Sequence, residues 1–199
     1  MDRTLDDVTA RWNLLEHSFY QRWTRGTLTH AELCDYVKQY AYVVRAVPVW
    51  LEQVRAADTA QIVRHAAEEQ SHIALWNKFG EALGLSSDAI RDERANVATA
   101  KLIRCGDELA ARGEAAPVVW ALEVQTPAVA GAKLAGLSAY YAIEPDAGGE
   151  YFAVHQRLDV EHAAELRALC PEGSQNAASV MSGALWDLLT SVEAAPQPA

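Results

Sequence analysis

The chain is 199 residues long and 50% hydrophobic, enough to bury the core of one domain, and its formal net charge of −10 leaves no basic patch for nucleic acid or an anionic membrane. Cys34, Cys105 and Cys170 are odd in number, far apart and outside any C-x-x-C pair, so neither a disulfide framework nor a zinc knuckle is indicated and a reducing cytoplasm fits best. The opening Met-Asp-Arg-Thr-Leu-Asp-Asp has no signal-peptide pattern, and no apolar run reaches the ~18 residues of a membrane span, so neither export nor membrane insertion is expected.

Residues 5–16 read as a helix with Val8, Trp12 and Leu15 at helical spacing. Next, His17-Ser-Phe-Tyr20-Gln-Arg-Trp23 sets aromatics on a short helix that Gly26 stops, and Thr29 with Glu32 forms the capping box of a long second helix. That helix runs through Tyr36, Tyr40 and Val44; Pro48 should kink it rather than end it, because apolar residues resume at Trp50 and Leu51. Asp58 is read as the cap of a third helix, which contains His65-Ala-Ala-Glu68-Glu69-Gln-Ser-His72 and stops near Gly84. Glu69 and His72 make the Glu-x-x-His pair that carboxylate-bridged di-metal sites draw from facing helices, although the same pair also serves as a surface hydrogen bond. Glu68 and His65 lie on neighbouring radii, and His65 is assigned to packing or to supporting a ligand.

A helix from the turn at 84–88 to Gly113 is alanine-rich and charged and reads as scaffold. The fifth helix, from near Pro117, holds Glu123 among apolar residues, where a carboxylate must be paired, protonated or metal-bound. Lys133 lies about 80° around this helix from Glu123 and reaches either the same cavity or the surface. Gly131 and Gly136 thin the helix for a close neighbour. The sixth helix, ending before Pro171, carries His155-x3-Asp159-x2-His162; at about 100° per residue, Asp159 sits about 40° and His162 about 20° from His155. Two imidazoles and a carboxylate on one narrow stripe suit Fe(II) or Mn(II), the alternative being a solvated polar face. A last helix over 176–192 places Val180, Leu185 and Leu189 in core positions. No strand pattern or internal repeat is found. The class is all-α, a seven-helix bundle, with one domain over residues 1–193 and a flexible tail over 194–199.

Together, Phe-Tyr20-x-x-Trp-x-x-Gly-x-Leu-Thr29, the helix with Pro48, the Glu-Glu pair before His72-x-x-Leu-Trp, Glu123-x9-Lys133-x2-Gly-Leu and His155-x3-Asp159-x2-His162 resemble the haem-oxygenase-like di-iron oxidases, above all their self-sacrificing 4-aminobenzoate synthases. The resemblance runs from Leu5 to about Leu189. It implies a bundle shared with thiaminase II and pyrroloquinoline quinone synthase. In it, three helices present ligands to two Fe(II), or an Fe/Mn pair: Glu68 or Glu69 with His72, then Glu123, then His155, Asp159 and His162. The family has three more residues between its Glu-Glu pair and the histidine, so alignment from the left favours Glu68 while helical Glu-x-x-His geometry favours Glu69. The resemblance also implies O2 and an external reductant, with Tyr20 as ring source and Tyr36 and Lys133 assisting.

The expected function is that of an O2-dependent oxidase or oxygenase. It is either a 4-aminobenzoate synthase consuming its own Tyr20 or an oxygenase of an external amine or amino-acid-like small molecule. Metal-free enzymes like the quinone synthase and thiaminase relatives are the rival reading; thiaminase-like activity requires a placed nucleophilic cysteine, and none of the three here sits in a recognisable context for it. A non-catalytic helical interaction module leaves the ligand constellation unexplained. A homodimer is compatible with this reading.

Overall fold

In the computed structural model, which describes residues 4–55 and 59–193, the chain is all-helical. Its helices are α1 (Leu5–Arg11), α2 (Ser18–Trp23), α3 (His30–Leu51), α4 (Thr59–Ala82), α5 (Ser87–Arg91), α6 (Val97–Leu109), α7 (Ala115–Glu123), α8 (Thr126–Tyr140), α9 (Glu150–Leu169) and α10 (Gln175–Ser191). Taking α7 and α8 as one interrupted rod and α2 and α5 as short connectors leaves the seven helices expected from the sequence. Asp58 and the tail 194–199 lie outside the described residues.

Local chemistry sets the boundaries. Thr29 accepts from the Glu32 amide while the Glu32 carboxylate accepts from the Thr29 amide, so the capping box starts α3 where the sequence places it. The helix then continues through Pro48 to Leu51. Four expectations need correction. The first helix stops at Arg11, because the Gln125 side chain accepts from the Leu14 amide and donates to the Trp12 carbonyl, both at 2.8 Å, and Asn13 caps a separate 3-10 turn. The segment after Gly84 is two helices, since Asn96 caps α6 afresh at Thr99. The fifth helix breaks between Glu123 and Thr126: Pro127 has no amide hydrogen to give the Glu123 carbonyl, so the chain turns there and restarts with proline in its first turn. In α10, Leu185 and Leu189 are buried but Val180 is 48% exposed, and Met181 takes the core position beside it.

The helices pair antiparallel. Trp76 on α4 donates its indole N–H to the Val37 carbonyl on α3, and Lys133 on α8 faces Phe152 on α9. α4 and α9 run side by side in opposite senses, His65 stacking on His162 and, two turns on, His72 meeting His155. α10 closes the bundle against α6 and α7. At Gly136 a Cβ would fall 2.6 Å from the Trp23 ring, so the close seat of α8 on α2 requires glycine. Cys34, Cys105 and Cys170 are free thiols. No helix among the described residues is long and apolar enough to cross a membrane.

Candidate metal centre

The antiparallel α4–α9 pair turns two polar stripes toward each other in the middle of an apolar core. His65, Glu69 and His72 come from α4, Glu123 from the last turn of α7, and His155, Asp159 and His162 from α9; all seven are buried. Two overlapping groups form. One donor atom each from Glu69, His72 and His155 lies within 4.8 Å of the others, and so does one each from His65, Glu69, Glu123 and His162. Opposite donors on a first-row ion, with bonds of about 2.0–2.2 Å, stand about 4–4.4 Å apart, so each group is close to the size of one coordination sphere. Glu69 is common to both, which is where a bridging carboxylate stands in a two-metal site.

The contacts aim the donors inward. His72 Nδ1 is 3.0 Å from Glu69 Oε1, and His155 Nε2 is 3.4 Å from Glu69 Oε2. The other nitrogen of His155, Nδ1, donates to the Tyr151 carbonyl at 2.7 Å. His162 Nε2 is held by Glu68 Oε2 at 3.0 Å, which leaves Nδ1 facing Asp159, 3.7 Å away and beyond hydrogen-bond reach. Glu68 is thus half-buried at the rim, between Arg64 and His162, while Glu69 is the α4 carboxylate inside. His65, read from the sequence as packing or support, stands inside the cage with Nε2 at 3.0 Å from Glu123 Oε1.

As protein alone, this cage is poorly satisfied. Among the described residues, seven buried side-chain atoms have no hydrogen-bond partner, and five of them are here: His65 Nδ1, Glu123 Oε2, both Asp159 oxygens and His162 Nδ1. Each such atom costs about 1–3 kcal/mol, so five approach the whole stability of a small domain, about 5–15 kcal/mol. Charge tells the same story. Burial pushes the Glu123 carboxyl well up, and Asp159 and Glu69 add to it; burial also raises Asp159. Burial opposes ionisation of Glu69 too, but hydrogen bonds from His155 and His72 outweigh it and hold that carboxyl below the ordinary range. Against the burial that disfavours its charge, His155 is raised to about 9 by Glu69 and Asp159. Three buried carboxylates among four imidazoles, with unpartnered lone pairs converging, are a donor set that first-row divalent ions complete.

A second arrangement adjoins the first. A cavity of about 30 Å³ is lined by Glu69, Glu123, His155 and Asp159 on one side and by Tyr20, Tyr40 and Lys133 on the other. The sequence-predicted trio meets at Lys133, Tyr36 standing behind the cavity wall: Lys133 Nζ donates to Tyr36 Oη at 2.5 Å and lies 5.1 Å from the Tyr20 ring centre. Trp23, Tyr36, Tyr40 and Phe152 complete an aromatic box around the amine. Burial lowers Lys133 to about 7, so a large share of the amine is neutral near neutral pH. Burial also pushes the Tyr20 and Tyr36 phenols well up, keeping both protonated. Tyr40 and Tyr151, whose rings line the cavity, carry no signal in the sequence beyond helical spacing.

Fold and cage define a haem-oxygenase-like helical bundle with a buried histidine–carboxylate group able to hold a metal. Residues 34–190 match the model of the iron-containing redox enzymes, and the chain belongs to that family. It is 29% identical to the 4-aminobenzoate synthase of Chlamydia pneumoniae over 218 residues, covering 100% of this chain and 95% of the relative. With the 4-aminobenzoate synthase of Chlamydia muridarum it shares 34% identity over 180 residues, 83% of this chain and 75% of the relative. In structure it is similar to a TenA homolog from Pseudomonas syringae pv. tomato (TM-score 0.76, 14% identity, 94% and 90% of the two chains). It is also similar to a Shewanella denitrificans domain with a heme oxygenase-like fold (TM-score 0.73, 16% identity, 94% and 89%). The chain is an oxidoreductase of this fold.

Proposed function

We propose that this protein is an O2-dependent di-metal oxidase that makes 4-aminobenzoate from its own Tyr20, with Lys133 as nitrogen donor. The observation that carries the reading is the cavity of about 30 Å³ between cage and aromatic box. A water needs ~10–15 Å³ of such space, so the cavity takes two or three waters or one O2, whereas a free amino acid is several times too large. A phenol and an amine already stand in or against its wall, and a tethered group reacts at high effective concentration without a binding site of its own. The 4-aminobenzoate synthases among the relatives support the same reading.

In this reading Glu69, His72, Glu123, His155, Asp159 and His162 hold the metals, and Glu68 acts from outside by fixing the ring of His162. When bound, a pair of Fe(II) ions, or one Fe with one Mn, supplies electrons to O2 and the oxidising power that follows. The product dictates what the chain must give. 4-Aminobenzoate has a carboxyl carbon para to nitrogen, so the Cα–Cβ bond of Tyr20 would break and Cβ be oxidised by O2 to the carboxyl carbon, while the ring C–O bond would break with its oxygen leaving as water and a C–N bond form to the nitrogen released by cleavage of the Lys133 Cε–Nζ bond, O2 and the external reductant balancing the electrons. The neutral fraction of Lys133 offers a lone pair, Tyr36 Oη orients the amine by accepting its hydrogen bond, and Phe152 and Trp23 keep water off it.

The Fe(II)-loaded protein, given O2 and a reductant, releases no more than one equivalent of 4-aminobenzoate. Tyr20→Phe releases none while keeping its metal. Product from Tyr20→Phe, or several turnovers on an added amine, would replace this reading with that of an oxygenase acting on an external substrate.

A further inference from the structure

The cage carries a regularity that the ligand set above leaves out. α4 presents His65-x3-Glu69-x2-His72, and α9 presents His155-x3-Asp159-x2-His162, the same residue classes at the same spacing. In each, the second and third residues lie about 40° and 20° from the radius of the first, so each triad is a single stripe. The helices are antiparallel, and the ends of the stripes meet crosswise. His65 stacks on His162 with ring centres 3.6 Å apart, and His72 meets His155 at 4.6 Å. The outer ion pairs keep the same order, Arg64 with Glu165 before the cage and Lys78 with Glu150 beyond it. A local two-fold axis therefore exchanges His65 with His155, Glu69 with Asp159 and His72 with His162. His65 is to α4 what His155 is to α9.

We propose that His65 is a metal ligand, so that the compartment formed with Glu123 and His162 has two imidazoles, as the compartment formed by Glu69, His72 and His155 does. The inference rests on the metal-binding part of the preceding reading. Its geometry stands on this chain alone. His65 is 1% exposed, and one of its nitrogens has no partner. Its donor lies within 4.8 Å of donors from Glu69, Glu123 and His162. Its Nε2 is 3.0 Å from Glu123 Oε1, the separation of two adjacent donors on one ion when each bond is about 2.1 Å and the angle about 90°. The rival role, a hydrogen bond that only orients Glu123, uses the same Nε2 and leaves Nδ1 equally unpaired, so the two roles differ in whether an imidazole nitrogen is needed for metal uptake. With His65 counted, the two ions share three carboxylates and four imidazoles, one fewer carboxylate than imidazole, and the second compartment takes borderline nitrogen-preferring ions such as Fe(II) rather than Mg(II) or Ca(II).

The test is anaerobic Fe(II) titration of the full-length protein, reading equivalents bound and affinity. The wild type takes two equivalents. His65→Ala retains one and loses the second by at least about 100-fold in affinity, more than the 10- to 100-fold that outer partners cost. Added imidazole restores that equivalent in His65→Ala, which separates loss of a ligand from loss of the fold. His65→Gln, which keeps a donor for Glu123 but has no imidazole nitrogen, behaves as His65→Ala does. Two equivalents in His65→Gln with affinity within about threefold of wild type would overturn the proposal in favour of the orienting role. A wild type that takes up no iron at all would defeat the metal-binding reading itself, a result distinct from either outcome.

Discussion

The α4–α9 cage and the aromatic box around Lys133 share one cavity and are built on opposite plans. The cage collects charge it cannot satisfy: five orphaned polar atoms, a Glu123 pushed toward its neutral form and an Asp159 with no hydrogen-bond partner among the described residues. The box is complete as protein. Its single amine has a hydroxyl partner and five aromatic rings within 6 Å, and it relieves the cost of burial by giving up its proton. One region is left incomplete until cations arrive and the other is complete as protein, and O2 chemistry of the proposed kind needs both within reach of one small cavity.

Substitutions that act on one region and spare the other sharpen this contrast. Glu69→Ala has the largest expected effect, because Glu69 belongs to both donor groups; uptake of both metals falls by three orders of magnitude or so, beyond the ~100-fold ceiling for outer partners, while the Lys133 box is unchanged. Direct iron analysis after anaerobic loading and desalting reads it, and one retained equivalent contradicts the shared role.

Lys133→Met acts on the box alone. The folded-state value near 7 lies below the ordinary 10.5, so between those limits the unfolded chain binds more protons and stability rises with pH. The penalty is complete below about pH 7 and gone above about 10.5. Lys133→Met therefore stabilises the metal-free protein at low pH by roughly 3–5 kcal/mol relative to its effect at pH 10.5, at about 1.4 kcal/mol per pH unit. Urea denaturation of both proteins across that range measures it, and a pH-independent difference would rule out a buried, titrating amine.

Glu123→Gln exchanges sign with metal. Without metal, the raised Glu123 carboxyl holds its proton after the unfolded one has lost it, so stability declines as pH rises above about 4.5. The amide removes that decline and stabilises the metal-free protein at pH 7 by about 1–3 kcal/mol. Loaded with Fe(II), the same variant binds its second equivalent more weakly. Destabilisation in both states would show that Glu123 is paired by protein after all. The smallest effect belongs to Glu68→Ala, which removes the anchor of His162 Nε2 and a partly exposed ion pair with Arg64; about tenfold in affinity for one equivalent is expected.

Much of the cage is legible in the amino-acid sequence. The stripe His155, Asp159, His162 and the pair Glu69, His72 follow from helical arithmetic, and Thr29 with Glu32 announces its helix start. Other features are not legible there, each for a physical reason. Glu68 and Glu69 differ by about 100° around α4, and only the direction of α9 decides which one faces inward. The break after Glu123 is encoded by Pro127, which cannot donate to it, but the apolar run across 117–137 hides it. His65 reads as packing or support although His-x3-Glu-x2-His repeats the α9 spacing; the repeat gains meaning only once the helices are known to run antiparallel and adjacent. Tyr40 and Tyr151 enter the cavity through the rotation of whole helices, which no local pattern encodes.

In the proposed reaction the ring that is oxidised already stands in the wall of the cavity. The most direct measurement grows the protein on tyrosine labelled with carbon-13 in the ring and at Cβ, loads it with Fe(II), and exposes it once to O2 and reductant in buffer holding excess unlabelled tyrosine. Expected are 4-aminobenzoate with all seven carbons labelled, at or below one equivalent, and a matching mass loss confined to the peptide that contains Tyr20. Unlabelled product, or labelled product with the Tyr20 peptide intact, would contradict it.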